Sequence, residues 1–74
     1  MSWSELPTWW RTIAEEVCTE KELEVLHLIA AGMSLNQISV TLNISRSSVQ
    51  SRYWNAKRKV INHPDYDDRK DPLL

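Results

Sequence analysis

Apolar residues recur at steps of three and four along most of the chain, which is the period of an amphipathic α-helix. This period predicts a first helix at about residues 5–17, a second at about 20–31, and a short third helix of two turns after Ser34. A fourth helix after Ser45 has inward positions at Val49, Tyr53, Ala56 and Val60. From "NHPDY" onward the apolar residues no longer follow a helical period. The predicted fold is therefore all-α, a small helix-turn-helix bundle of about four helices with a polar C-terminal tail.

Capping residues mark the predicted helix ends. Two pairs have capping-box spacing, in which each side chain bonds the other residue's free backbone amide: Thr19 with Glu22, and Ser34 with Gln37. Gly32 is the only glycine and stands where a left-handed residue would end the second helix. Asn43 stands where the chain must turn, and asparagine tolerates the left-handed region. A short helix, a turn and a longer basic helix together predict a helix-turn-helix.

The composition excludes several classes of protein. The 74 residues make one domain with little room for a catalytic cleft. Cys18 is the only cysteine, which excludes an intrachain disulfide and a cysteine-based zinc site, and it is expected to be a partly buried residue in a reducing cytoplasm. His27 and His63 are isolated, and no nucleophile–base pair, carboxylate pair or metal cluster is apparent. We therefore expect no catalytic residue, metal, cofactor or enzymatic activity.

No run of residues approaches the roughly 18 apolar positions of a membrane span. The start, "MSWSELP", lacks the basic and apolar regions of a signal peptide. These features predict a cytoplasmic protein without a membrane partner.

The small total charge conceals a segregation along the chain. Residues 1–24 carry a net charge of −4, residues 25–64 of +5, and residues 65–74 of −2. The basic residues of the acid-free middle stretch are Arg46, Arg52, Lys57, Arg58 and Lys59. A basic face on a chain of near-neutral total is typical of a protein that binds nucleic acid, although solvated side chains on an ordinary helix give a similar pattern.

Residues 19–60, "TEKELEVLHLIAAGMSLNQISVTLNISRSSVQSRYWNAKRKV", carry an ordered series of motif residues at matching spacing. The segment resembles the helix-turn-helix shared by LuxR/GerE-type regulators and region 4 of bacterial sigma factors, most closely the extracytoplasmic-function type. The resemblance covers over half of the chain and includes "TEKELEVL", the Gly32 turn, and "VQSR" with "AKRK". It implies a DNA-binding helix-turn-helix whose second helix enters the major groove.

The sequence departs from that family pattern at three positions. Asn43 replaces the usual turn glycine, Gln50 a usual basic residue, and Asn55 a common arginine. Two larger elements of the relatives have no counterpart in 74 residues: a promoter-melting region and a signal-receiving domain. The segment after Val60 also does not resemble the dimerisation helix of LuxR-type modules.

The resemblance assigns roles on the fourth helix. Gln50, Ser51, Trp54 and Asn55 are expected to approach base edges, while Arg46, Ser47 and Ser48 hold phosphate at the helix start and Arg58 lies further along. The chemistry agrees, because glutamine and asparagine can pair two ways with adenine, and helix-start amides with serine hydroxyls suit a phosphate oxygen. The alternative is that these are ordinary solvated or first-turn residues.

Arg52 and the four tryptophans have roles that the sequence leaves open. Arg52 is expected either to contact DNA or to pair with a glutamate of the second helix, with the structural role slightly favoured. Trp54 is expected either to pack on Trp9 or Trp10, or to lie against a thymine methyl group or a sugar. Trp3, Trp9 and Trp10 supply more apolar surface than a small core is expected to absorb, which predicts an exposed interaction surface.

The sequence thus predicts an N-terminal helix for packing or interaction (residues 1–18), a DNA-binding helix-turn-helix (19–62) and an acidic tail (63–74). The leading hypothesis is a small bacterial or phage transcription regulator that binds double-stranded DNA at a specific sequence, as a homodimer. The alternative is a protein-interaction module, similar to sigma region 4, for RNA polymerase or another regulator. A weaker alternative is the DNA-binding subunit of a phage packaging or recombination complex.

Overall fold

The computed structural model describes residues 2–72 of the 74-residue chain. This part contains four α-helices and no β-strand: α1 (Thr8–Val17), α2 (Glu20–Ala30), α3 (Leu35–Leu42) and α4 (Arg46–Ile61). Short 3-10 turns precede α1 at Trp3–Glu5 and follow α4 at Asp68–Lys70. The prediction of an all-α helix-turn-helix bundle is confirmed. None of these helices has both the length and the apolarity that crossing a membrane requires.

The start of the first helix differs from the prediction. The expected helix from about residue 5 is interrupted, and α1 begins at Thr8 with Pro7 as its N-cap residue. The proline ring disfavours helical backbone in the residue before it, and Leu6 is accordingly extended, with ψ of 150°. Leu6 is nevertheless buried, because the 3-10 turn folds it back onto the core.

Both predicted capping boxes are confirmed. In the first, the Thr19 amide donates to Glu22 Oε1 at 2.9 Å and the Glu22 amide donates to Thr19 Oγ1 at 3.2 Å. The second joins Ser34 and Gln37 in the same way. The two left-handed residues also stand where the sequence predicts them, with φ of 93° at Gly32 and 55° at Asn43. Local sequence therefore sets the ends of α2 and α3.

Two clusters of buried residues meet on α4. The larger one joins α1, α2 and α4 through Leu6, Trp10, Ile13, Ala14, Leu26, Ala30, Ala56 and Val60. The smaller one joins α2, α3 and α4 through Val25, Ile38 and Val49. Tyr53 packs against both clusters. Because both clusters use the same side of α4, its opposite side faces away from the protein.

Trp10 belongs to the core and not to a surface. Its side chain is 1% exposed and packs against Trp3, whose ring centroid lies 6.0 Å away. The expectation of three exposed tryptophans is therefore wrong for Trp10, because α1 turns this residue towards α4. Trp3 and Trp9 are half-buried and pack against the same cluster.

A partly buried ion pair joins α2 to α4. Lys59 Nζ lies 2.8 Å from Glu22 Oε1, and the Glu22 side chain is 9% exposed. Burial alone would raise the pKa of Glu22, but the hydrogen bonds from Lys59 and from the Thr19 amide outweigh burial and hold the pKa below its ordinary value. The pair therefore stabilises the fold at neutral pH, and this contribution is lost as pH falls into the acidic range where Glu22 becomes protonated. The pairing expected for Arg52 is made instead by Lys59, two turns further along α4.

Cys18 is the half-buried residue that the sequence predicts. Its Sγ lies 3.8 Å from the Ala56 carbonyl oxygen, to which it donates. Burial, together with the nearby Glu22 carboxylate, raises the pKa of this thiol to about 11. The thiolate is therefore not available as a nucleophile at neutral pH.

The segment after α4 is attached to the body of the protein instead of forming a free tail. The Tyr66 ring lies 6.2 Å from the Trp9 ring, and the Tyr66 hydroxyl donates to Asp71 Oδ2 at 2.6 Å. His63 Nε2 lies 3.4 Å from Glu16 Oε2 on α1. The predicted acidic tail ends with residues 73 and 74, which lie outside the described residues.

Candidate nucleic-acid interface

The outward side of α4 carries the residues that the sequence assigns to DNA. Val49, Ala56 and Val60 are fully buried. The opposite side exposes Arg46, Ser47, Gln50, Ser51, Trp54 and Arg58, while Ser48 and Asn55 are half-buried at its edge. The structure thus brings all eight predicted DNA-binding residues to one side of a single helix.

The start of α4 concentrates hydrogen-bonding groups. Ser45 Oγ accepts from the Ser48 amide at 3.1 Å and lies 2.9 Å from Ser48 Oγ and 3.1 Å from Ser47 Oγ. The first amides of a helix have no partner within the helix, and they carry a partial positive charge. Three serine hydroxyls beside these amides form a site whose chemistry suits a phosphate oxygen.

The middle of α4 offers polar groups to a ligand. Neither Gln50 nor Ser51 has a side-chain hydrogen bond within residues 2–72. Asn55 is different, since its Oδ1 accepts from Arg58 Nη2 at 2.6 Å. Because an amide oxygen has two lone pairs, Asn55 can keep this bond and still pair two ways with adenine. The sequence did not predict this contact, although its spacing of three residues on one helix allows it.

Trp54 does not pack on the tryptophans of α1. Trp9 lies against Tyr66 and Trp10 against Trp3, whereas the Trp54 ring lies 6.1 Å from the Tyr53 ring. The first alternative for Trp54 is therefore wrong.

Sequence reasoning missed a role for Lys57. Its Nζ lies 5.4 Å from the centre of the Tyr53 ring and 5.6 Å from that of Trp54. These distances are typical of a cation–π contact. The spacings of three and four residues from the two rings were the signal that could have indicated this contact.

The positive charge of α4 is largely uncompensated. Lys59 is paired with Glu22, but no carboxylate lies within ion-pair distance of Arg46, Arg52, Lys57 or Arg58 in the part of the chain that the structure describes. The acids of residues 1–24 lie on other elements, and α4 itself contains none. The structure therefore keeps the charge segregation of the sequence as a basic helix surface.

Comparison with known proteins decides the family. The sequence pattern described as "Bacterial regulatory proteins, luxR family" matches residues 16–63, well over half of the chain. The chain belongs to this family. The matched residues contain α2, α3 and α4, so the helix-turn-helix is the LuxR-type DNA-binding domain of a regulatory protein. The predicted resemblance to LuxR-type regulators is confirmed.

One curated relative of this LuxR-family chain is "Nitrate/nitrite response regulator protein NarP" of Escherichia coli (strain K12). The two proteins are 48% identical over 44 residues, which are 60% of this chain and 20% of that protein. The match therefore spans about a fifth of the relative's length. No solved structure matches the chain.

The LuxR-type domain shows no metal centre in its described part. Across residues 2–72, no group of three or more His, Cys, Asp or Glu side chains is placed to hold a metal ion. The matched family is one of regulatory proteins.

Proposed function

We propose that this chain is the DNA-binding module of a transcription regulator and binds double-stranded DNA at a specific sequence with α4 in the major groove. One observation carries the proposal: the outward side of α4 is basic, lacks acids, and presents unpartnered polar side chains such as Gln50 between the serine cluster and Arg58. The luxR-family match and the response-regulator relative support it.

The groups on α4 divide by chemistry. The serine cluster, the free amides at the helix start and the arginine side chains suit phosphate oxygens, which fix position without reading sequence. Gln50 and Ser51 are neutral and can exchange hydrogen bonds with base edges. Asn55 Oδ1 accepts from Arg58 Nη2, and its second lone pair and its amide NH2 group remain available to a base edge.

The proposal is tested by selecting bound duplexes from a random pool in gel-shift experiments with the purified chain. We expect one short sequence to be enriched over successive rounds. A pool that stays random while DNA is bound would contradict sequence-specific binding, and the absence of any duplex binding would contradict the proposed ligand.

Substitutions of Gln50 and Arg58 are expected to weaken DNA binding in different ways. Gln50→Ala should cost about 1–3 kcal/mol of binding free energy on the selected duplex and should hardly change binding to random DNA, because it removes a base contact. Arg58→Ala should weaken binding to the selected duplex and to random DNA by similar factors, since a phosphate contact carries no sequence information. Titration of both variants on both duplexes measures this difference. Equal losses for Gln50→Ala on the two duplexes would remove it from the base-reading residues.

The bound form is proposed to contain more than one copy of the chain, a homodimer on a palindromic site. A single small module buries roughly 600–1,000 Å² of protein surface on DNA, the low end for specific binding. Half-buried Trp3 and Trp9 remain candidates for the contact between copies, whereas Trp10 is unavailable. RNA polymerase or another regulator is the alternative source of additional contact area.

Sedimentation equilibrium and footprinting test whether a second copy of the chain binds the selected site. We expect two copies on the selected site and a loss of the second one in Trp9→Ala, with Thr12→Ala, an exposed change on the same helix, as the control. A monomer that binds one half-site with nanomolar affinity and keeps it in Trp9→Ala would contradict the proposal.

A protein-interaction module remains the second candidate, favoured by the outer side of α2. There Glu20 and Glu24, neither in an ion pair within the described chain, flank a shallow depression of about 330 Å³ lined by Leu23 and Leu28. Failure of the chain to bind duplex DNA would favour the protein-interaction module. No described feature favours a packaging or recombination subunit, and a phage origin and a cytoplasmic location stay predictions.

A further inference from the structure

Trp54 is an exposed apolar residue among the proposed base-reading groups. The large apolar side chains that are exposed in the described part of the chain are Val40, Trp54 and Ile61. Val40 belongs to α3, and Ile61 is the last residue of α4. Trp54 follows Gln50 by one turn on the outward side of α4 and is 56% exposed. Most of an indole ring thus faces the space proposed for the DNA groove.

Neighbouring side chains hold the Trp54 ring in place. Lys57 Nζ lies 5.6 Å from its centre, and the Tyr53 ring meets it at 47°. Tyr53 in turn packs against both core clusters, so the ring leans on a fixed residue. A side chain that is already ordered loses less conformational freedom on binding. Trp54 is therefore preorganised in the orientation that the structure shows.

The major groove offers one apolar group to such a ring. Each thymine presents a C5-methyl group there, whereas the other exposed edges are hydrogen-bond donors and acceptors. An indole has a single N–H donor and no acceptor, so it cannot pair two ways with a base as Gln50 can. Burial of a methyl group against the ring removes apolar surface of both partners from water.

We propose that Trp54 reads the methyl group of a thymine in the bound sequence, close to the base pair that Gln50 contacts. The inference rests on the proposed function and specifies what the site must contain. Trp54 thereby acts as a specificity-determining residue, distinct from the phosphate-binding groups at the helix start.

Replacing each thymine of the selected duplex by uracil, one at a time, tests this inference because the change removes only the methyl group. We expect one position at which the wild-type chain binds the uracil duplex about fourfold more weakly, the effect of one buried methyl group. In Trp54→Ala the thymine and uracil duplexes should bind equally at that position. Ile61→Ala, which removes another exposed apolar side chain of α4, should retain the full difference.

The outcomes separate this inference from the proposed function. Failure to select any sequence would overturn both. A selected site without a methyl-dependent thymine, or a methyl effect that persists in Trp54→Ala, would overturn the inference alone. Uniform weakening of Trp54→Ala on all duplexes would also overturn it, because that result indicates contact with a sugar. Measurements at reduced salt keep weak variants within range, since phosphate contacts strengthen there.

Discussion

Replacing Trp10 by alanine will lower the free energy of unfolding by about 3–5 kcal/mol. The indole lies in the larger core cluster, is 1% exposed, and fills the space between α1 and α4. Its removal leaves a cavity that the short helices can close only in part. A chain of this length has a total stability of roughly 4–11 kcal/mol, so this single change is expected to leave much of the protein unfolded.

Urea unfolding followed by circular dichroism measures this loss, and Trp54→Ala is the matched control. Trp54 is the same residue type but is 56% exposed, so its replacement should change stability by about 0.5 kcal/mol or less. Similar losses in the two variants would contradict the assignment of Trp10 to the core and would reopen its role at a surface.

The affinity for duplex DNA will fall about 130- to 500-fold between 50 and 200 mM salt, if four to five basic residues of α4 contact phosphates. Each neutralised phosphate releases about 0.9 of a counterion from duplex DNA, which gives a slope of about −3.5 to −4.5 in a plot of log affinity against log salt. The four arginine and lysine side chains of α4 without carboxylate partners supply most of this effect.

Single substitutions refine the salt experiment. Arg58→Ala should reduce the slope by about 0.9, as expected for one lost phosphate contact. Lys70→Ala, an exposed change in the segment after α4, should leave the slope unchanged. A flat salt response of the wild-type chain would reject phosphate contacts by α4 and would favour the protein-interaction module.

The sequence predicts the features of this fold that depend on local chemistry. Thr19 and Ser34 mark helix starts because a capping box involves only four consecutive residues. The inward positions of α4 follow from its period alone. The predicted start of the first helix was wrong. The apolar period continues through Leu6 and Pro7, but Pro7 disfavours helical backbone at Leu6, and this local effect decides the start.

Contacts between long side chains were less predictable. Whether Arg52 or Lys59 reaches Glu22 depends on the packing angle between α2 and α4, since both residues lie on the same side of α4. The burial of Trp10 likewise depends on how α1 docks, because Trp9 and Trp10 are adjacent in the sequence and the docking of the helix decides which of them faces the core. Side-chain partners of this kind are set by tertiary geometry, and composition carries no signal for them.

The comparison of a selected duplex with a scrambled duplex of equal composition tests the central claim most directly. Fluorescence anisotropy at one fixed salt concentration near 150 mM gives the two dissociation constants. We predict that the selected duplex binds at least about a thousandfold more tightly, the lower range for specific DNA-binding proteins. Equal affinities for the two duplexes would contradict sequence-specific recognition by α4.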